Sequence, residues 1–227
     1  PTMMKLWIIS LSISGMLGGC NQTESDKPSS SPSAIVMSPA PVEQTMLSPP
    51  LVAAARHQVG LTTIYDPAYV SLKYPGGDVP FERGVCADVV IRALRDSLEM
   101  DLQVLVHEDM TKAFSKYPTR WGLKRPDRNI DHRRVLNLAT YFERQGYSVG
   151  VSQKPEDYLP GDLVTCTVGG NLPHIMIVSD ARTAAGVPLV IHNIGSGTRE
   201  ENRLFDFPIT GHYRVRAKPN SDPGGKR

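Results

Sequence analysis

The chain has 227 residues, 40% hydrophobic and 21% charged, and its 25 Lys and Arg against 23 Asp and Glu give a formal charge of +2. That length and balance suit one folded domain with accessory segments, and they exclude a disordered polyelectrolyte or a strongly cationic nucleic-acid binder. Three cysteines, Cys20, Cys86 and Cys166, with no C-x-x-C pair, leave no basis for a multi-bridge scaffold, a structural zinc module or thioredoxin-like chemistry.

After Lys5, an apolar run over 6–17 ends in Gly18-Gly19-Cys20. It is shorter than the roughly 20 residues a bilayer core requires, so 1–19 reads as a signal peptide rather than a spanning helix. Leu17-Gly18-Gly19-Cys20 resembles the lipobox of bacterial lipoproteins, which implies cleavage before Cys20 and lipidation of its sulfur; an ordinary secretory signal with an incidental cysteine is the alternative. Residues 21–50 hold six prolines and seven serines without hydrophobic periodicity. With Cys20 they form a disordered tether over 20–50, with a reach of roughly 30 Å. A lipidated Cys20 implies membrane attachment in the cell envelope, and Asn21 after it implies the outer membrane of a Gram-negative host.

The folded domain is expected over 51–216, followed by a disordered tail over 217–227. Apolar spacing predicts helices over 51–59, 86–98, 102–117 and 135–146, the last with Asp131 as its cap and Gly146 as its stop. Runs rich in Val, Ile, Thr and Tyr predict strands over 147–151, 163–168, 174–179, 187–192 and 212–216. Helices first and strands afterwards indicate an α+β domain with an antiparallel sheet.

Cys86 opens a predicted helix, where free N–H groups and the positive dipole end lower a thiol pKa; a small buried hydrophobe is the plainer reading. His174 begins one predicted strand and His192 ends the next. A hairpin centred on Thr183 would put the two histidines directly opposite, on one face, where one imidazole can orient the other. Cysteine, histidine and a third polar group are the parts of a cysteine hydrolase. A metal held by the two imidazoles is the weaker alternative, because no third ligand stands at a suitable spacing.

The order Tyr74-Pro75-Gly76-Gly77, Gly84-Val85-Cys86-Ala87-Asp88, Leu159-Pro160-Gly161-Asp162, His174-Ile175-Met176-Ile177 and Ile191-His192 resembles the NlpC-type, papain-like cysteine peptidases of bacterial cell walls. Longer words, including Tyr65-Asp66-Pro67-Ala68-Tyr69, Val106-His107-Glu108-Asp109-Met110 and His192-Asn193-Ile194-Gly195, resemble the uncharacterised bacterial domain family numbered 1287. The resemblance implies a papain-like fold with N-terminal helices and the nucleophile at a helix N-terminus, packed on an antiparallel sheet. It also implies Cys86 as nucleophile, His174 as general base and acid, and His192 as orienting residue. Tyr74 is implied as an oxyanion donor, with packing over its Gly-Gly turn as the alternative. The usual Asp-Cys-Ser is here Val85-Cys86-Ala87, and Asp88 is expected to complement the helix dipole.

The expected activity is therefore a cysteine amidase or peptidase acting through a thioester on peptidoglycan or muropeptide, as a monomeric domain without metal or cofactor and without nucleic-acid partners. A thioester-using transferase and a non-catalytic envelope lipoprotein binding peptidoglycan or a protein are the alternatives. Lys116 to Arg134 holds seven basic and two acidic residues, either a solvated surface or a site for substrate carboxylates. Cys166 is expected in the core and unpaired.

Overall fold

A computed structural model describes residues 49–216; the signal segment, Cys20, the tether up to residue 48 and the tail from 217 lie outside the described residues. The first helix, α1 (Pro50–Arg56), leads into a loop whose short strands β1 (Ile64–Tyr65) and β2 (Arg83–Gly84) pair in parallel. Three further helices follow: α2 (Cys86–Leu98), α3 (Leu102–Ala113) and α4 (Val135–Arg144). Then come β3 (Leu163–Val168), β4 (Leu172–Arg182), β5 (Pro188–Asn193), β6 (Thr198–Glu201) and β7 (Ile209–Tyr213). These five form an antiparallel sheet in the order β6-β5-β4-β3-β7. The described domain is thus α+β, with helices before the sheet.

Alternation along the strands divides the core into two layers. Ile175, Ile177 and Ile191 face the four helices and pack with Val89, Val90, Leu94, Leu138 and Phe142. Val164, Cys166, Met176, Val178 and Val190 face the other way and are covered by Tyr158 and Leu204 from loops. The helix α2 is central: Val89, Val90, Ala93 and Leu94 are fully buried at the spacing that places them along one side.

Several local expectations change. Asp131 does not cap α4; it begins a 3₁₀ turn (Asp131–Arg133), and its carboxylate accepts from Asp127 N–H at 2.5 Å and pairs with Arg134 at 3.1 Å. The segment 147–151 forms a single bridge, Ser148 with Tyr213, in place of a strand, and it lies along β7 through Val149 N–H on His212 O and Arg214 N–H on Tyr147 O. The last strand lies earlier than expected, at Ile209–Tyr213. The turn between β4 and β5 is centred beyond Thr183, with Thr183 N–H bonded to Val187 O and an irregularity between Val178 and Arg182. The observed pairs are Ile177 with Ile191 and Val178 with Val190, so the register is offset by two residues from one that sets His174 opposite His192. An offset of two preserves the face, so the histidines become diagonal neighbours on one side of the sheet.

Candidate active site

The chain before Cys86 is extended at Val85 (φ −109, ψ −179), and α2 begins at Cys86 because the Asp88 carboxylate folds back to accept from Val85 N–H at 2.7 Å. Asp88 also receives two N–H groups from Arg133, both at 2.9 Å, with both side chains buried. The helix-dipole role expected for Asp88 is thereby extended to a bridge between α2 and the turn before α4.

Cross-strand pairing of β4 with β5 runs no further toward His174 than Ile177 and Ile191, and the N-terminus of α2 sits where the ladder stops. On the β5 side, Asn193 donates its side-chain N–H to Gly84 O at 3.0 Å; on the β4 side, the Ile175 backbone N–H stands near the Cys86 thiol and favours its ionised form. Cys86 is therefore placed beside β4 at Ile175, the residue after His174. The thiol and the imidazole are not hydrogen-bonded to each other.

His174 Nε2 lies 2.8 Å from His192 Nδ1, and His192 Nε2 lies 3.2 Å from Glu201 Oε1. A carboxylate only accepts, so His192 carries its proton on Nε2 and accepts from His174 Nε2–H at Nδ1. That leaves Nδ1 of His174 as its basic nitrogen. The 2.8 Å separation is that of a hydrogen bond; two nitrogens on one zinc ion would stand about 3.3 Å apart. Glu201 reaches His192 through the β5–β6 hairpin, in which Asn193 pairs with Thr198. The hairpin tip is seated on the β1 loop, with Thr198 N–H on Thr62 O at 2.7 Å. Gly197, at φ +84, is required there, since a Cβ would lie 2.8 Å from Thr62 O.

Cys86 opens onto a cleft of about 240 Å³ with Tyr65, Trp121, Arg120, Arg133, Leu136 and Pro173 among its walls. A second hollow of about 250 Å³ shares Val135, Leu136 and Pro173 with it and continues past Cys166 to Glu143 and Tyr213. His174 and His192 line neither.

Residues 52–215 match the model of a family described as "Domain of unknown function (DUF1287)". The chain belongs to that family. It is 58% identical over 164 residues to "Uncharacterized protein YijF" of Escherichia coli (strain K12), covering 72% of this chain and 80% of that protein.

The DUF1287 domain brings together two of the four expected catalytic positions, His174 and His192; Cys86 packs on the helix side of the sheet with Ile175, and no hydrogen bond joins it to either histidine. Tyr74 is elsewhere, packed edge-on against His107 at 5.6 Å with Arg128 over its ring at 5.3 Å. The phenol that shares the cleft with Cys86 is Tyr65, and it lies close enough for the two to interact electrostatically. Glu201 and Tyr65 were not singled out by sequence. For Glu201 the signal was the Gly195 and Gly197 turn after His192, which folds 198–201 back beside β5.

Burial opposes the thiolate expected at the helix N-terminus. Burial pushes the Cys86 thiol up to about 11, and Asp88 adds to this against the N–H groups of Ile175, Ala87 and Cys86 itself. Burial, with His192 beside it, lowers His174 to about 3; burial also lowers His192, against the pull of Glu201. At neutral pH burial favours the neutral thiol and the neutral imidazole. Cys166 is buried on the sheet and, like Cys86, is free.

Proposed function

We propose that this DUF1287 domain is a papain-like cysteine hydrolase of the NlpC type that cleaves an amide bond of peptidoglycan or its fragments in the bacterial envelope. The observation that carries this reading is the buried His174–His192–Glu201 hydrogen-bonded chain in a sheet whose strand β4 also passes Cys86, at the start of α2 and the wall of a cleft.

In the proposed reaction the Cys86 thiol turns toward His174 as the acyl group enters, and its proton passes to Nδ1 of His174 as sulfur attacks the carbonyl carbon. The positive charge that develops on His174 is shared along its Nε2–H to His192 and on to Glu201. The N–H groups of Cys86 and Ala87, with the Tyr65 hydroxyl, are the donors near the developing oxyanion. His174 returns its proton to the leaving amine, and water then hydrolyses the thioester by the same route.

A non-catalytic peptidoglycan-binding module is the second reading, favoured by the neutral thiol and the missing bond between Cys86 and His174. Digestion of purified peptidoglycan by the full chain separates the two. Soluble fragments identified by mass, with Cys86→Ala and His174→Ala each lowering the rate about 10³-fold or more, are expected. Release that persists in Cys86→Ala, or binding without release by the unaltered chain, overturns the hydrolase.

A further inference from the structure

Glu201 stands on β6, the four-residue strand at one edge of the sheet, paired with β5. Successive residues of a strand point to opposite faces, so Glu200 and Glu201 are one backbone step apart and serve two sides of the sheet. Glu201 lies opposite Val190 and turns to His192; Glu200 lies opposite Ile191, on the side covered by the helices.

On that helix side Glu200 is gripped by Arg56, the last residue of α1. Nε of Arg56 donates to Oε2 at 2.8 Å and Nη2 to Oε1 at 2.7 Å, the two-pronged pairing that fixes a carboxylate in position and in plane. Nη2 also stands 3.0 Å from Ser179 Oγ and 2.5 Å from Asp180 Oδ1, and the Ser179 hydroxyl donates to Glu200. β4 is irregular between Val178 and Arg182, which lets the neighbouring Ser179 and Asp180 both reach one guanidinium. The guanidinium is itself placed by a packed helix, since Leu51, Val52 and Ala55 of α1 are buried in the core. Arg56 thus ties α1 and β4 to the end of β6 that carries Glu201, while Thr198 N–H on Thr62 O ties the other end. Arg203 also approaches the Glu201 carboxylate, at 3.7 Å, beyond hydrogen-bond reach.

We propose that Arg56 is a positioning residue for the histidine pair: by holding Glu200 on one face of the sheet, it fixes β6 so that Glu201 stays on His192 Nε2–H on the other. The first helix of the domain is thereby coupled to the proton placement on His192. This role rests on the hydrolase reading for its purpose, but its readout is the proton on His192 and needs no turnover.

The test is NMR of the full chain carrying isotope-labelled histidine, with proton–nitrogen correlations at neutral pH that read which ring nitrogen bears hydrogen. In the unaltered chain His192 should show one tautomer, protonated on Nε2. Arg56→Ala and Glu200→Ala should each mix the two tautomers and speed exchange of that proton with water about tenfold or more, with the backbone amide spectrum of the core retained. The double variant should do no more than either single one, because both break the same tie. Arg56→Lys, which keeps the charge without the two-pronged grip, should recover part of the protection. Arg83→Ala, which removes the exposed ion pair with Asp66, should leave His192 unchanged. A single His192 tautomer with unchanged exchange in both Arg56→Ala and Glu200→Ala overturns the coupling, as does equal loosening in Arg83→Ala. Should the alanine variants fail to fold, Glu200→Gln, which keeps the size of the side chain and removes only its charge, is held to the same two outcomes. The expected proton behaviour in a chain that releases no fragment from peptidoglycan leaves the positioning role standing and removes the hydrolase.

Discussion

Glu201 fixes which nitrogen of each histidine carries a proton, and with that the direction in which a proton can move. Removing its carboxylate leaves His192 Nε2–H without an acceptor in a site where His192 is fully buried. The imidazole is then free to exchange tautomers and to offer Nδ1–H, in place of a lone pair, to His174. Glu201→Leu is expected to lower kcat roughly 10- to 100-fold on the peptide substrate while moving KM by less than about twofold, with Glu201→Gln recovering part of the loss. A change confined to KM would assign Glu201 to substrate binding.

The N-terminus of α2 is the element on which the site depends, and it is secured by one buried ion pair. Asp88 satisfies Val85 N–H and neutralises Arg133, whose side chain is 2% exposed. Asp88→Ala frees the cap and leaves a buried guanidinium without its counter-charge, a combination that costs about 3–5 kcal/mol. The loss is read from urea unfolding midpoints. The double variant Asp88→Leu with Arg133→Met should be more stable than Asp88→Ala, because it buries no unpaired charge. Equal stability of the two would show that the cap, and not the charge, is what Asp88 supplies.

Across the whole molecule, buried imidazoles set the response to acid. His132 is 2% exposed, with Nδ1 unpartnered; burial lowers it to about 4, with Asp88 and Asp101 opposing and Arg133 and Arg95 reinforcing the shift. His174 is lowered to about 3. A histidine depressed in the folded state contributes stability that is complete above its ordinary value of 6.5 and is lost as pH falls to its folded value. His132 alone then accounts for about 3 kcal/mol between pH 6.5 and pH 4. Unfolding free energies measured across that interval should fall, and His132→Leu should fall by about 3 kcal/mol less. Cys86, His174 and His192 were legible in the sequence because helix and strand periods place residues without knowledge of their partners. The face shared by the histidines also survived an error in register, since that error was an even number. Glu201 was hidden because Thr198–Glu201 lacks a strong β pattern and meets His192 only through a hairpin. The exchange of Tyr74 for Tyr65 has the same origin: both lie in the largely irregular stretch between α1 and α2, where distance along the chain says little about distance in space. The Ile175 N–H stands near the Cys86 sulfur and favours its ionised form. Its proton resonance is therefore a label-free gauge of that sulfur, moving when the thiol ionises, is alkylated or swings away. Modification of Cys86 can thus be followed by NMR, with no chromophore on the reagent.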